Sequence, residues 1–353
     1  MPRMTTKRQE PTAGTTASAR MRPARGVSHW RILSLLLPFS ILAWLVFDMH
    51  RKDPETWQTL VQQPKGWGWL GLALVLCLAG VSLSFLRWHL LVRALNIPFY
   101  VSDAFRLGFL GYLCNFVLLG SMGGDLAKAV MVARENPGRR PEVVASIFID
   151  RVVGLLAVFL FVGIGFALLE TEQFPTPMRM LGRMTQLAAV LGVLGSLGAM
   201  LLPSLAPLVQ RLLSPIPRLQ KWADRVLGTI ELYRSRKWTL LAAGGISLCI
   251  QWIMATALFL AATGIYRDAP TLQEHLVIGP TAAVAAAIPV APAGLGTSEL
   301  AMKYLYETVP AIPAPRNQGL VVAVVYRMMT MIVSLIGVPY LLAWRKQEHA
   351  QVA

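Results

Sequence analysis

Residues Arg106 to Arg134 read RLGFLGYLCNFVLLGSMGGDLAKAVMVAR, and this stretch decides the fold. An apolar run from Leu107 to Leu119 meets a Gly-rich break, and a short helical pattern begins at Asp125. Each half is too short to cross a bilayer, which takes about 20 apolar residues. The stretch therefore predicts a broken helix that enters the membrane and returns.

The Gly-rich break has a simpler interpretation as well, because a kink in an ordinary span or a loop outside the membrane gives a similar pattern. Broken backbone is tolerated at membrane depth only where protein or a water-filled cavity covers it. A hairpin would also create a new helix N-terminus at Asp125. Its N–H groups and positive dipole end favour an anionic ligand.

A second stretch, Leu276 to Tyr306, repeats the pattern. Its apolar run meets the sequence PAGLG at residues 292–296, and a short helix is predicted to open at Thr297. Glu299 then matches Asp125 of the first stretch. Two interrupted apolar segments at corresponding places in two halves favour a transporter-type binding site.

The composition is that of an integral membrane protein, since 55% of the 353 residues are hydrophobic and 14% are charged. The formal net charge of +15 indicates topology and attraction to anionic lipid. A nucleic-acid partner is not expected, because no basic helix with interleaved aromatics stands free of the apolar segments. The three cysteines lie in apolar runs and no His pair has ligand spacing, so we predict no disulfide, metal or cofactor.

We predict an all-α polytopic membrane protein with about six full spans and two re-entrant broken-helix hairpins, arranged as inverted repeats. A disordered basic tail at residues 1–29 precedes a transmembrane domain at residues 30–344, whose halves are residues 30–169 and 184–344. A cytoplasmic amphipathic segment is predicted at residues 203–237, with Tyr233 on its apolar face. A second cytoplasmic tail follows at residues 345–353.

The predicted topology follows from the spans and the charges between them. The predicted spans are residues 32–47, 67–92, 143–169, 184–202, 240–263 and 319–344, and polar loops are predicted at residues 48–66 and 170–183. Lys and Arg are concentrated in alternate connecting segments, which by the positive-inside rule places both termini in the cytoplasm. Three crossings in each half then require the second half to be inverted, and the two hairpins enter from opposite sides.

Ionisable side chains inside spans cost roughly 2.5–3.5 kcal/mol on insertion scales, so their presence needs an explanation. Asp150 and Arg151 lie within one span, and Arg327 lies within the last. Each half therefore has a carboxylate at the start of a short helix, Asp125 or Glu299, and an arginine on the next span. Either these residues form structural ion pairs that hold the hairpins, or the arginines face a cavity and bind phosphate as planar forks.

Three further polar residues near the breaks each have two interpretations. Lys128 is either a third cation for a ligand or a local salt-bridge partner of Asp125. Asn115 either caps the break or contacts a head group. Arg87 is expected to snorkel to the head groups, with a functional role as the alternative.

The candidate substrate-binding residues all lie at a break or on the span beside it. They are Asn115, Gly123, Gly124, Asp125, Lys128, Asp150, Arg151, Gly294, Gly296, Ser298, Glu299 and Arg327. The sequence shows no nucleophile–base pair, metal cluster or nucleotide-binding loop, so we expect no enzyme activity.

Together these motifs resemble a known family. Asn115 followed by GSMGGDLAK (residues 120–128) is similar to its N-x-x-x-P-G-x-x-G-G-D-x-x-R signature, and ASIFIDRVVGL (residues 145–155) to its acid–arginine pair. PAGLGTSE (residues 292–299) is similar to its second Gly-rich hairpin, and Tyr326-Arg327 to its final-helix arginine. The family is the lysylphosphatidylglycerol synthase transmembrane region, also called the flippase-like proteins. The resemblance covers residues 32–344, with departures at Leu119, where the family often has Pro, and Lys128, where it often has Arg.

The resemblance implies a lipid translocase of the cytoplasmic membrane that moves an anionic phospholipid or a polyprenyl-phosphate-linked lipid between leaflets. A soluble aminoacyl-transfer domain follows this region in the family's full-length synthases. Here the sequence stops at Ala353, so we expect the translocating half without synthase activity. The expected partners are membrane lipids with an anionic head group. The alternative is a non-catalytic membrane subunit or partner of a lipid-modifying enzyme such as a glycosyltransferase.

Overall fold

The computed structural model of the protein describes residues 61–117, 123–135, 137–169, 174–201, 231–287, 296–310, 314–315 and 317–343, together with isolated positions elsewhere. Across these residues the chain is helical, without a strand. The helices are α1 (Trp67–Ala94), α2 (Val101–Val117), α3 (Gly123–Glu135), α4 (Arg140–Leu168), α5 (Thr176–Leu201), α6 (Lys237–Ile265), α7 (Leu272–Ala287), α8 (Thr297–Thr308) and α9 (Gln318–Ser334).

Five segments of the described chain are long and apolar enough to cross a membrane. They are Trp67–Ala94, Arg140–Leu168, Thr176–Gly198, Glu231–Ile265 and Gln318–Ala343. The predicted all-α polytopic membrane fold is therefore confirmed. Apart from the starts at Thr176 and Glu231, which come earlier than predicted, their limits agree with the predicted spans to within about one helical turn.

Several predictions fall outside the described residues. The first predicted span, residues 32–47, is described only at isolated positions, and so is most of the amphipathic segment at residues 203–237. The terminal tails at residues 1–29 and 345–353 are not described. At the end of the amphipathic segment Tyr233 is fully buried, and its hydroxyl donates to the carbonyl oxygen of Leu91 at 2.9 Å. Its predicted place on a membrane-facing surface is wrong, because it packs against α1.

Both predicted polar loops are wrong in part. α5 begins at Thr176, although the sequence around Pro175 and Pro177 predicts a loop up to residue 183. Pro177 is the second residue of α5, where a missing N–H breaks no helical hydrogen bond. The described positions from Asp48 to Gln62 are also helical, since polar side chains alone do not stop a helix.

Both interrupted segments are helix pairs, as predicted. α2 packs against α3, and α7 packs against α8. The breaks themselves, residues 118–122 and 288–295, lie outside the described residues. After each break the chain resumes a helix, at Gly123 in the first pair and at Thr297 in the second.

An antiparallel pair, α1 and α6, joins the two halves of the protein. It is the most extensive helix–helix contact in the described part of the chain. At one end the Gly66 N–H donates to the carbonyl oxygen of Gly264 at 2.9 Å. At the other end the guanidinium of Arg236 donates to the side chain of Asn96 at 3.2 Å.

Apart from the contact between α4 and α5, the main remaining contacts between described helices occur in matching sets. α1 packs on α2 and α4, and α6 packs on α7 and α9. α3 contacts α4, and α8 contacts α9. Between the halves, α4 packs on α6 and α7, while α9 packs on α1 and α2. α1 and α6 are therefore corresponding helices that meet each other, and every other contact named here has its counterpart in the other half.

Candidate functional site

A cavity of about 390 Å³ lies between the two halves of the protein. Its walls come from α2 and α4 on one side and from α6, α7, α8 and α9 on the other. The structure brings Arg151 of α4 and Arg327 of α9 to the wall of this one cavity. The other polar residues in the wall are Tyr112, Asn115, Gln251, Ser298, Glu299, Tyr326 and Thr330.

In the second helix pair, Glu299 caps the N-terminus of α8 and forms an ion pair with Arg327. Its Oε2 atom accepts the Gly296 N–H at 2.7 Å and the Ser298 hydroxyl at 2.8 Å. Its Oε1 atom accepts the Nε–H of Arg327 at 3.0 Å, and Arg327 Nη2 also donates to the Ser298 hydroxyl. The Glu299 side chain is only 1% exposed, so these bonds compensate the loss of its hydration.

In the first helix pair these tasks are divided between two residues. The Gly124 N–H donates to Asn115 Oδ1 at 2.9 Å, so Asn115 caps the start of α3. Asp125 pairs with the Nε of Arg151. The Arg151 side chain is 54% exposed, although its partner Asp125 is only 15% exposed. Arg151 therefore contacts Asp125 through one edge of its guanidinium group, and the side chain still faces the cavity.

Close packing between α2 and α3 explains the glycine at the start of α3. A Cβ atom on Gly124 would lie 2.0 Å from the carbonyl oxygen of Gly111, so a side chain there would push the helices apart. Lys128 crosses the same contact, with its Nζ 4.0 Å from the Asp125 carboxylate. Its Nζ also lies 5.6 Å and 5.2 Å from the ring centroids of Phe85 and Trp88 on α1, within cation–π range. Lys128 is thus a local partner of Asp125, held by α1.

The snorkelling prediction for Arg87 is wrong. Arg87 Nε and Nη2 donate to the two carboxylate oxygens of Asp150 at 2.7 and 3.0 Å, and Nη1 donates to the Ser247 hydroxyl at 2.8 Å. The Arg87 side chain is 10% exposed, so the pair lies inside the protein and joins α1, α4 and α6. Asp150 therefore points toward Arg87, while its neighbour Arg151, about 100° further around α4, reaches the cavity.

The predicted site residues thus fall into three groups. Those in the cavity wall are Asn115, Arg151, Ser298, Glu299 and Arg327. Those outside the wall, at the helix starts or on α4, are Gly123, Gly124, Asp125, Lys128, Asp150 and Gly296. Gly294 lies outside the described residues.

Comparison with known families decides the assignment. A sequence model of the lysylphosphatidylglycerol synthase transmembrane region matches residues 31–337, which include both helix pairs and both cavity arginines. The chain belongs to the lysylphosphatidylglycerol synthase transmembrane-region family. No curated protein and no solved structure matches it. The family makes this a membrane protein of lipid metabolism or transport, and it confirms the resemblance seen in the motifs.

Two residues on α6 of this lysylphosphatidylglycerol synthase transmembrane-region protein are absent from the predicted site. Ser247 binds Arg87, and Gln251 lines the cavity. They are one helical turn apart in the predicted span at residues 240–263, which has no charged residue, so they lie on the same face of α6. A pair of polar residues at this spacing is the signal in the sequence that would identify them.

The charges of the two helix pairs are unequal. Three cations and two carboxylates form the first cluster: Arg87, Lys128, Arg151, Asp125 and Asp150. In the second, Arg327 pairs with Glu299. Since an unbalanced charge is costly at membrane depth, the excess positive charge of the first cluster favours an anion. Arg151 is its most exposed member, so it presents this charge to the cavity.

Proposed function

We propose that the protein is a lipid translocase of the cytoplasmic membrane, which moves an anionic phospholipid or a polyprenyl-phosphate-linked lipid between leaflets. The observation that carries the proposal is the meeting of Arg151 and Arg327, one from each half, at the wall of one cavity. Guanidinium groups bind phosphate through paired N–H donors, and two of them in one site suit a phosphodiester. The excess positive charge beside Arg151 supports an anionic head group.

The size of the cavity supports a head group as the part of the lipid that enters. A volume of about 390 Å³ is in the range of small-ligand sites. The acyl chains would remain in the hydrocarbon of the bilayer throughout, so they need no site in the protein. The phosphate would lie between the two arginines. The proposal contains no chemical step, so we propose a non-enzymatic role.

The movement that we propose is alternate opening of two inverted halves. Matching helix contacts in the two halves support such a repeat, with α1 and α6 as the corresponding helices at the axis. In this arrangement both termini are cytoplasmic and the hairpins enter the membrane from opposite sides. Binding sites between inverted repeats, at interrupted helices, recur in secondary transporters.

The decisive experiment measures lipid movement in liposomes that contain the purified protein and a fluorescent phosphatidylglycerol. We expect Arg151→Gln and Arg327→Gln each to slow translocation about tenfold or more, because each removes a charged hydrogen bond of about 1.5–3 kcal/mol. Arg179→Gln is the matched control. Arg179 is an exposed arginine of α5 that lies outside the cavity wall, so its loss should leave the rate unchanged.

A double variant separates phosphate binding from structural pairing. Arg327→Gln alone leaves Glu299 buried without its partner, whereas Arg327→Gln with Glu299→Gln removes both charges. We expect the double variant to regain thermal stability without regaining transport. Recovered transport would leave Arg327 with a structural role only. A wild-type protein that moves no lipid but co-purifies with a glycosyltransferase or a similar enzyme would favour the accessory-subunit alternative.

The proposed topology has its own test. Single cysteines at residues 53 and 268, introduced after replacement of Cys77, Cys114 and Cys249, should react with a membrane-impermeant reagent added outside intact cells. Cysteines at residues 2 and 352 should react only after permeabilisation. Labelling of the two termini from opposite sides would contradict the inverted-repeat arrangement.

A further inference from the structure

A second polar group of residues lies outside the cavity, where α1 ends and where α4 and α6 begin. Asn96 follows α1 in a left-handed conformation, with φ at 57°. Arg139 is the residue immediately before α4, and Arg236 is the residue immediately before α6. Their backbone angles are nearly the same, with φ and ψ of −129° and 30° for Arg139 and −119° and 36° for Arg236. The starts of α4 and α6 therefore each place an arginine at the same end of the protein.

Both arginines bind Asn96. Arg139 Nη1 donates to the carbonyl oxygen of Asn96 at 2.7 Å and to that of Leu95 at 3.4 Å. Arg236 Nη2 donates to Asn96 Oδ1 at 3.2 Å. All three of Asn96, Arg139 and Arg236 are exposed. Two guanidinium groups are therefore held next to each other on one neutral residue at the surface.

No carboxylate of the described chain neutralises this pair. Glu231 pairs with Arg234 at 3.4 Å, and Glu142, in the first turn of α4, forms no salt bridge with either arginine among the described residues. Bonds to the carbonyl groups of Leu95 and Asn96, just after α1, explain Arg139. They do not explain Arg236, whose one side-chain hydrogen bond to the described residues is to the amide oxygen of Asn96. Two like charges on one residue repel each other, and a bound anion would remove that repulsion.

The surroundings of the pair are those of a membrane surface. Arg93, Arg140 and Lys237 are exposed beside it, and all belong to the side predicted to be cytoplasmic. Trp238, directly after Lys237, is 75% exposed at the start of a span. Tryptophan at the end of a membrane helix is typical of the head-group level, and clustered basic residues attract anionic lipid there.

We propose that Arg139 and Arg236 form a binding site for the phosphodiester of an anionic lipid in the cytoplasmic leaflet. The phosphate bridges the starts of α4 and α6 over the end of α1. Because α4 and α6 belong to different halves, the bound lipid fastens the two halves together at this end. The site is separate from the cavity and does not depend on transport.

The test uses the full-length protein in nanodiscs of phosphatidylcholine, alone or mixed with phosphatidylglycerol, and measures the thermal unfolding midpoint. A ligand that binds only the native state raises this midpoint. We expect phosphatidylglycerol to raise the midpoint of the wild type, and Arg139→Gln with Arg236→Gln to remove at least half of the rise. The matched control is Arg179→Gln with Arg183→Gln, two exposed arginines of α5, which should keep the full rise.

Three further measurements keep the test decisive. Arg236→Gln alone preserves the bonds of Arg139 to α1 and should still reduce the rise, so a folding defect of the double variant does not obscure the result. The cavity double variant, Arg151→Gln with Arg327→Gln, should keep the part of the phosphatidylglycerol-induced rise that is lost in the Arg139 and Arg236 variants. This result separates the surface site from the cavity. Inorganic phosphate added to phosphatidylcholine nanodiscs should give no rise. A full rise in both the Arg236 single variant and the double variant would overturn the site, and an equal rise with free phosphate would overturn the lipid as its ligand.

Discussion

The two helix pairs contain the same carboxylate–arginine pairing in different surroundings. In the second pair, Glu299 closes the start of its own helix and binds Arg327, and both side chains are largely buried. In the first pair, Asn115 on the preceding helix closes the start of α3. Asp125 is then left to pair with Arg151, which stays more than half exposed.

The same sequence pattern therefore forms two different structural arrangements. A glutamate is long enough to reach back to the helix start and also to accept from an arginine, as in a capping box. Such an arrangement fixes α8 to α9. The shorter Asp125 gives up the capping role, and the exposed Arg151 keeps freedom to contact a ligand. We infer that the second pair is the more rigid of the two and that the first pair provides the more responsive side of the cavity.

Removing the carboxylates should reveal this difference most strongly. Glu299→Gln removes the buried carboxylate that pairs with Arg327, and breaking a buried pair costs about 3–5 kcal/mol. Asp125→Asn should lower the free energy of unfolding by less than half of that, because Arg151 is exposed and exposed pairs contribute about 0–1 kcal/mol. Chemical unfolding in detergent micelles measures both. Equal losses would show that the two pairs are structurally equivalent.

The glycines at the two helix starts should resist substitution for different reasons: lack of space at Gly124 and backbone conformation at Gly296. Gly124 has no room for a Cβ atom, so Gly124→Ser should destabilise the protein by about 1–3 kcal/mol through overpacking. Among the described residues no atom would contact a Cβ on Gly296, but its φ is positive at 82°, which asparagine tolerates better than other side chains. Gly296→Asn should therefore cost less than Gly296→Val, and less than Gly124→Ser. Thermal unfolding of the three variants measures the order, and a reversed order would contradict the packing explanation.

Replacing Lys128 should give the smallest loss of stability. Lys128→Met keeps the length of the side chain over Phe85 and Trp88, and a cation–π contact contributes about 0.5–2 kcal/mol, part of which is offset by the lower desolvation of methionine. The variant makes the charges of the first cluster equal, as they are in the second. The ratio of translocation rates for phosphatidylglycerol and phosphatidylcholine should then fall several-fold. An unchanged ratio would show that the excess charge does not select the lipid.

The helices and their breaks could be predicted from the sequence, because the patterns that indicate them are local. Apolar length gives the spans, and the glycines at residues 120–124 and 292–296 give the interruptions. Once the interruptions are placed, the spacing predicts that Asp125 and Glu299 approach Arg151 and Arg327, and the structure shows both pairs.

The buried position of Arg87 could not be predicted from a local pattern. It lies near the end of its span, where snorkelling to the surface is the usual behaviour of an arginine. Its partners are 63 residues away, at Asp150, and 160 residues away, at Ser247. Only the packing of three helices brings these groups together, and no local pattern encodes that packing. The same applies to Asp150, which the sequence assigns to the ligand site and the structure turns toward Arg87.

The separation of Arg87 from its partners has a consequence for synthesis of the chain. Arg87 leaves the ribosome 63 residues ahead of Asp150, which at about 5–20 residues per second corresponds to roughly 3–13 s. During that interval α1 carries an uncompensated charge whose insertion is unfavourable by up to about 2.5–3.5 kcal/mol, the cost at the centre of a helix. α1 is therefore expected to stay beside the translocon until α4 arrives, and to complete its bonds only when Ser247 on α6 has been made. The junction of α1, α4 and α6 at Arg87 is thus completed only after most of the chain has been made.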